Sequence, residues 1–276
     1  MPRTQLLDDH SLLRGGWPGI FAAAASILAA IYCYQLFYVG LDNDAAFHLA
    51  YGIAGFLLII FLAFYKVRKS IYRTRLGTLQ SWMQAHTYIG ILGAALIGLH
   101  TGFSAGGPFS FLLLALFLFT AISGAAGTIV YNTIPISVNK YGRGILPLEE
   151  MEIKLKGYLA EADKSVENAQ GDFRKLYDNK IRPLFRHKGP RWIYLLTEER
   201  AILKKYKDLF EGFKKSTPPQ NVYDISMLGA LAAEKEKLAF MWVKLKMLRV
   251  WLNFHMPLSF AMITGTIAHI IAVLYF

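Results

Sequence analysis

The chain has 276 residues, of which 54% are hydrophobic, and carries a formal net charge of +11. Its apolar residues come in long blocks rather than periodic stripes, so the basic excess fits an integral membrane protein with basic faces better than a nucleic-acid binder. Cys33 is the only cysteine, which excludes an internal disulfide, a cysteine-clustered zinc or iron–sulfur centre and a C-x-x-C-H haem attachment; any haem is then held non-covalently.

Residues 1–16 are read as a cytoplasmic tail. Five apolar blocks follow, each reaching the roughly 20 residues needed to cross about 30 Å of hydrocarbon. They run from Trp17 to Gly40, Ala45 to Tyr65, Ser81 to Thr101, Pro108 to Tyr131 and Val250 to Phe276. The first is too long, and too poor in cleavage-site character, for a removable signal peptide, and is read as a true span. Between the second and third blocks lie Lys66, Arg68, Lys69, Arg73 and Arg75 with no acid; the turn after the first holds Asp42 and Asp44, and the turn after the third, TGFSAGGPFS, is uncharged. By the excess of positive charge on cytoplasmic loops, this is a multi-pass protein of the cytoplasmic (inner) membrane, with its amino terminus in the cytoplasm and its carboxyl terminus outside.

Residues 135–249 are too charged to enter lipid. They contain the helical stretch LPLEEMEIKLKGYLAEADKSVENA, a second from Thr197, read as an N-cap ahead of Glu198 and Glu199, to Lys215, and a third that starts after Asp224 and runs on into the fifth span. STPPQ at 216–220 separates the last two. No glycine-rich phosphate loop, dinucleotide fingerprint or nucleophile elbow occurs there, so the segment is read as a cytoplasmic cap or a docking surface for an acidic protein face or anionic lipid headgroups. The expected fold is an all-α polytopic membrane bundle of five transmembrane helices, four in 17–134 and the fifth in 250–276, with a helical cytoplasmic insert at 135–249.

Two spans begin and end on histidine: HTYIGILGAALIGLH at 86–100 and HMPLSFAMITGTIAH at 255–269. At about 100° per residue, fourteen steps fall only roughly 40° short of four full turns, so both histidines of each span share nearly one face. At about 1.5 Å per residue they stand about 21 Å apart, one toward each membrane surface. With spans three and five running the same way, His86 lies level with His255 near the inner surface and His100 with His269 near the outer. A polar ring is costly in hydrocarbon and calls for a partner; each level fits one flat, hexacoordinate iron porphyrin clamped between facing helices. Gly90, Gly93, Ala94, Ala95, Gly98 and Gly265, with SGAAG at 123–127, leave the room a macrocycle needs, although small residues also serve ordinary helix packing in membranes.

The four histidines, with LHTG at 99–102 and SGAAG around them, resemble the di-haem b-type membrane cytochromes, in particular the ferric-reductase-like transmembrane cytochromes and the quinone-linked cytochrome b subunits. The resemblance covers the five spans. It implies two b haems, the inner on His86 and His255 and the outer on His100 and His269, with electron transfer across the membrane and a quinone as substrate. Ferric reductases continue into a flavin and nicotinamide domain, whose fingerprint is missing here, and the cytochrome b of bc-type complexes has more spans and a Pro-Glu-Trp-Tyr quinol loop that this chain lacks. The implied role is therefore a membrane electron-transfer subunit of a respiratory oxidoreductase complex rather than a self-sufficient enzyme. Its redox partners would be a cytoplasmic redox or scaffold subunit and an extracytoplasmic protein such as cytochrome c or an iron–sulfur protein.

Several further residues fit this reading. Thr101, Ser259 and Thr264 have the right type to orient ligand rings. Arg73, Arg75, Lys246 and Arg249 suit the inner haem's propionates or serve as positive-inside anchors. His48 fits a hydrogen bond to a propionate or a quinone head group, with a proton path from Asp42 or Asp44, or a wet interfacial position. His10 and His187 lie in aqueous segments, and Trp17, Trp82, Trp251, Tyr38, Tyr131 and Tyr275 form interfacial belts. Two other functions remain open: a proton or metal transporter using the intramembrane histidines, which would be colourless, and a structural membrane subunit, which would tolerate their loss.

Overall fold

The computed structural model describes residues 16–40, 45–70, 79–102, 104, 106–132, 147–186, 191–195 and 197–275. Arg73, Arg75, Asp42, Asp44, His10 and His187 lie outside the described residues. Among those described, all regular structure is helical: α1 (Trp17–Tyr34), α2 (Ala45–Ser70), α3 (Leu79–Thr101), α4 (Pro108–Asn132), α5 (Leu148–Ser165), α6 (Gly171–Leu176), α7 (Arg182–Phe185), α8 (Glu199–Lys215) and α9 (Val222–Tyr275). The chain divides into two compact units, residues 1–132 with 251–276, and residues 133–250.

Among the described residues, four helical stretches are long and apolar enough to cross a membrane: Trp17–Val39, Ala45–Tyr65, Pro108–Tyr131 and Pro219–Tyr275. The expected third span is not among them. At 23 residues α3 is long enough, about 34 Å at 1.5 Å per residue, but Gln84, His86, Thr87, Tyr88 and His100 lower its mean hydropathy.

In the first unit, α1 starts on Trp17 with Pro18 in its first turn, where a missing N–H costs nothing. It ends in a π-helical turn, Gln35–Val39, closed by Gly40 at φ 79°. The Trp17 indole N–H donates to Ser81 Oγ at 2.9 Å, which sets the starts of α1 and α3 side by side. Inside, Tyr51 on α2 donates to the buried Gln35 amide oxygen at 2.9 Å. Helices α2 and α3 run antiparallel: Phe61 stacks on Trp82 at 5.6 Å, Tyr65 lies 5.2 Å from His86, and a Cβ on Gly55 would stand 2.8 Å from Ile97 Cδ1. Thr128 of α4 meets Thr87 of α3 at 3.3 Å. Ile59, Phe117 and Met262 form a small buried core, with Ala94, Ile97, Leu116 and Ile263 packed against it.

The second unit is built on amphipathic stripes. Met151, Leu155, Tyr158 and Ala162 line one face of α5, and Ile202, Tyr206 and Phe210 one face of α8; the spacing, i, i+4, i+7 in α5 and i, i+4, i+8 in α8, puts each set on a single side. They pack with Ile225, Leu228, Ala232 and Val243 of α9, which continues without interruption from this unit into the other. Thr197 is not the cap of α8: its hydroxyl donates back to the Ile193 carbonyl at 2.7 Å, and Glu198 stands at the cap position without a side-chain bond. A backbone acceptor four residues upstream outcompetes the orphan N–H groups of the next helix.

Glu236, 1% exposed, accepts hydrogen bonds from Tyr194, from Arg191 at 3.3 Å and from Lys235 at 3.1 Å, while Lys235 also donates to the Leu184 carbonyl at 2.6 Å. Beside that core, Arg182 makes two hydrogen bonds to Asp163, at 2.9 and 3.0 Å, and holds its carboxyl below the ordinary carboxylate range.

Glu236→Gln leaves two cations without a counter-charge, and breaking a buried pair in this way costs about 3–5 kcal/mol; urea unfolding of the detergent-solubilised chain, followed by hydrogen exchange over 151–243, reads that loss. The stabilisation from Asp163 is complete above its unfolded pKa, about 3.9, and disappears as pH falls through the lower folded value. Asp163→Asn therefore lowers stability at neutral pH and flattens its decline in acid.

Candidate functional site

The four histidines lie in the first unit, and His100 and His269, the pair expected at the outer level, come together. At the outer level, His100 of α3 and His269 of α9 have ring centroids 6.4 Å apart and planes at 81°. Phe109, at the start of α4, lies 6.5 Å from His269. His100 Nδ1 stands 2.7 Å from the His48 backbone oxygen. A carbonyl only accepts, so Nδ1 carries the hydrogen and Nε2 bears the lone pair. In return, His48 Nδ1 donates to the His100 carbonyl at 2.8 Å.

At the inner level, His255 Nδ1 lies 2.7 Å from Ser123 Oγ. The Ser123 hydroxyl spends its hydrogen on the Thr120 carbonyl at 2.8 Å, so its oxygen accepts from His255 Nδ1–H, and again Nε2 keeps the lone pair. One turn earlier on α9, Trp251 stacks on His255 at 4.9 Å and donates its indole N–H to the Ser123 carbonyl at 2.6 Å. Gly127 accommodates that indole, which a Cβ would overlap, and a Cβ on Gly124 would rest 3.5 Å from His255 Cε1. His86 of α3 lies 5.2 Å from Tyr65 of α2, and its buried Nδ1 makes no hydrogen bond.

This donor set fits a haem. Two imidazoles across one metal ion, bound at about 2 Å, have ring centroids about 6.5 Å apart, and the outer pair stands at 6.4 Å. Metal-ligating histidines characteristically donate their other ring N–H to a carbonyl or a polar side chain, as His100 and His255 do. The two levels are separated by the apolar layer of Ile59, Phe117 and Met262. Among the described residues no three His, Cys, Asp or Glu side chains converge on one point; bis-imidazole ligation requires only two.

Other sequence expectations fare differently. Thr101 donates to the Gly98 carbonyl at 3.1 Å and Ser259 to the His255 carbonyl at 2.8 Å, while Thr264 is exposed; none of these orients a ligand ring. Those roles fall to Ser123 and to the main chain at His48. Arg249 is engaged by Glu149 at 2.7 Å in an exposed pair, and Lys246 sits 4.5 Å over the Trp242 ring. Trp251, expected in an interfacial belt, is packed against α4 with its N–H bonded. The only sequence signal for Ser123 is that it opens SGAAG, in which Gly127 receives Trp251. Compared with known protein families, curated proteins and solved structures, the chain matches none.

Gly127→Ala forces the indole aside and destabilises the first unit by about 1–3 kcal/mol, the usual cost of overpacking. Trp251→Ala in the same background relieves most of that added cost, and a double-mutant cycle on thermal unfolding in detergent measures the coupling.

Proposed function

We propose that this chain is a di-haem b-type cytochrome of the cytoplasmic membrane, the electron-transfer subunit of a quinone-linked oxidoreductase complex. The observation that carries the reading is the outer pair: His100 and His269 at 6.4 Å, with the His100 ring held by its Nδ1–H so that Nε2 is left for a metal. His86 and His255 would hold the inner haem. A bis-histidine haem exchanges single electrons and presents no open coordination position to a substrate.

The chain's own residues do the positioning. Ser123 Oγ and the His48 carbonyl select the ligand tautomers. Trp251 backs His255, and Phe109 backs His269. The buried Ile59, Phe117 and Met262 exclude water between the levels. In this reading α3 is also a span, the third of five. Its polar groups face neighbouring helices: Ser81 accepts from Trp17, Thr87 meets Thr128 and His100 bonds to α2, which is how polar residues are accommodated in a bilayer. The amino terminus and the basic loop at 66–75 face the cytoplasm, and residues 133–250 form a cytoplasmic insert. A quinone and a cytochrome c or iron–sulfur partner complete the electron path.

A reduced-minus-oxidised spectrum with pyridine haemochrome quantification tests this directly. The expected result is two non-covalent b haems per chain, with His86→Ala and His255→Ala removing one, and His100→Ala and His269→Ala the other. Ser123→Ala weakens retention of the inner haem about 10–100-fold, as loss of a ligand-orienting partner does. A colourless protein overturns the reading and turns attention to proton or metal flux through the same histidines.

A further inference from the structure

Helix α2 supplies no ligand, yet it packs along the face of α3 that carries both histidines. The His48 carbonyl takes His100 Nδ1–H at 2.7 Å, and Tyr65 lies 5.2 Å from His86. His48 and Leu62 are fourteen residues apart, as are His86 and His100. Because the two helices run antiparallel, 48 opposes 100 and 62 opposes 86, so α2 passes both levels.

The two levels then differ. At the outer one, a Cβ on Gly52, one turn beyond His48, would come within 2.6 Å of His100 Nδ1 and 2.7 Å of its Cε1. Imidazole is rigid and its far edge is committed to the site, so the ring has no room to yield; only glycine lets it reach the carbonyl. The corresponding position after Leu62 is Lys66, and His86 Nδ1 is buried without a bond.

The His48 side chain closes the outer contact from the other side. Its Nδ1–H donates to the His100 carbonyl at 2.8 Å, one of the last four carbonyls of α3 that no intrahelical N–H reaches. Gly102, at φ +56°, ends the helix there, and a Cβ on it would stand 3.4 Å from His48 Cε1.

We infer that His48 and Gly52 are positioning residues for the outer axial histidine: Gly52 opens the way for His100 to donate to α2, and His48 locks the end of α3 with its own Nδ1–H. This deepens, and rests on, the di-haem reading. It gives His48 a role that uses Nδ1 and the protein backbone, in place of a bond to a propionate or a quinone. A ring that donates its second N–H becomes a more basic ligand and favours the oxidised iron, so weakening the contact moves the outer midpoint potential upward and leaves the inner one in place.

Asparagine places an N–H donor where histidine has Nδ1, and glutamine places one near Nε2, so the two replacements separate the possible roles. The experiment takes the full-length purified protein as wild type and as Gly52→Ala, His48→Leu, His48→Asn and His48→Gln. It measures haem stoichiometry, low-spin electron paramagnetic resonance and dye-mediated redox titration. The outer signal is the one lost in His100→Ala, and the inner haem serves as the internal check that the bundle is folded. The expected result is an outer signal that is shifted or lost in Gly52→Ala, His48→Leu and His48→Gln and restored in His48→Asn. Restoration by glutamine rather than asparagine overturns the inference, and so do outer signals unchanged in Gly52→Ala and His48→Leu, in each case with two haems still bound and the di-haem reading standing. A wild-type protein without haem overturns that reading itself, and this inference with it.

Discussion

Every imidazole that leaves water must find somewhere to put its N–H, and in this bundle that requirement organises the helices. A buried donor without an acceptor costs about 1–3 kcal/mol, and the bilayer offers no water to supply one. His100 meets the requirement at the α2 main chain and His255 at Ser123 on α4. Each contact fixes which nitrogen carries the lone pair and at the same time ties two helices together. Chemistry and packing are served by the same hydrogen bonds.

Close helix approach follows from that demand. The ring of His100 comes within hydrogen-bond distance of a backbone oxygen only because position 52 has no side chain, and Trp251 reaches the Ser123 carbonyl only because position 127 has none. Gly52 and Gly127 are thus seats for particular rings, each matched to one partner across a helix pair. Where α2 lacks such a seat, His86 is left with its Nδ1 unbonded.

The sequence makes the four histidines visible because a fourteen-residue interval on a helix is pure local geometry: facing and height follow from 3.6 residues per turn. The same holds for α5 and α8, whose apolar stripes are periodic, and for the run of α9 from Val222 through the last apolar block. The long apolar blocks of α1, α2, α4 and α9 are equally plain. The ring-orienting partners are not visible. A main-chain carbonyl has no residue signature, so His48 shows itself as a histidine and hides the acceptor that matters most. Thr101 and Ser259, which stand closer in sequence to the histidines than Ser123 does, donate to carbonyls three or four residues back, and Thr264 is exposed. Thr197 donates back in the same way. A hydroxyl on a helix has a ready local acceptor, Ser123 included, and only tertiary register reveals which one also meets a ring. In α3, the residues that define the site also dilute the hydropathy by which a span is recognised.

The apolar layer of Ile59, Phe117 and Met262 has an electrical meaning for the proposed function. With histidine levels about 21 Å apart along the helices and hydrocarbon side chains between them, an electron that moves from one level to the other crosses without an accompanying proton. Such a step is electrogenic. It is aided or opposed by the membrane voltage by up to about 2.3 kcal/mol per 100 mV for a full crossing, and in proportion for the part of the thickness that separates the two levels. The energised state of the membrane would then bear directly on how the electron is shared between them.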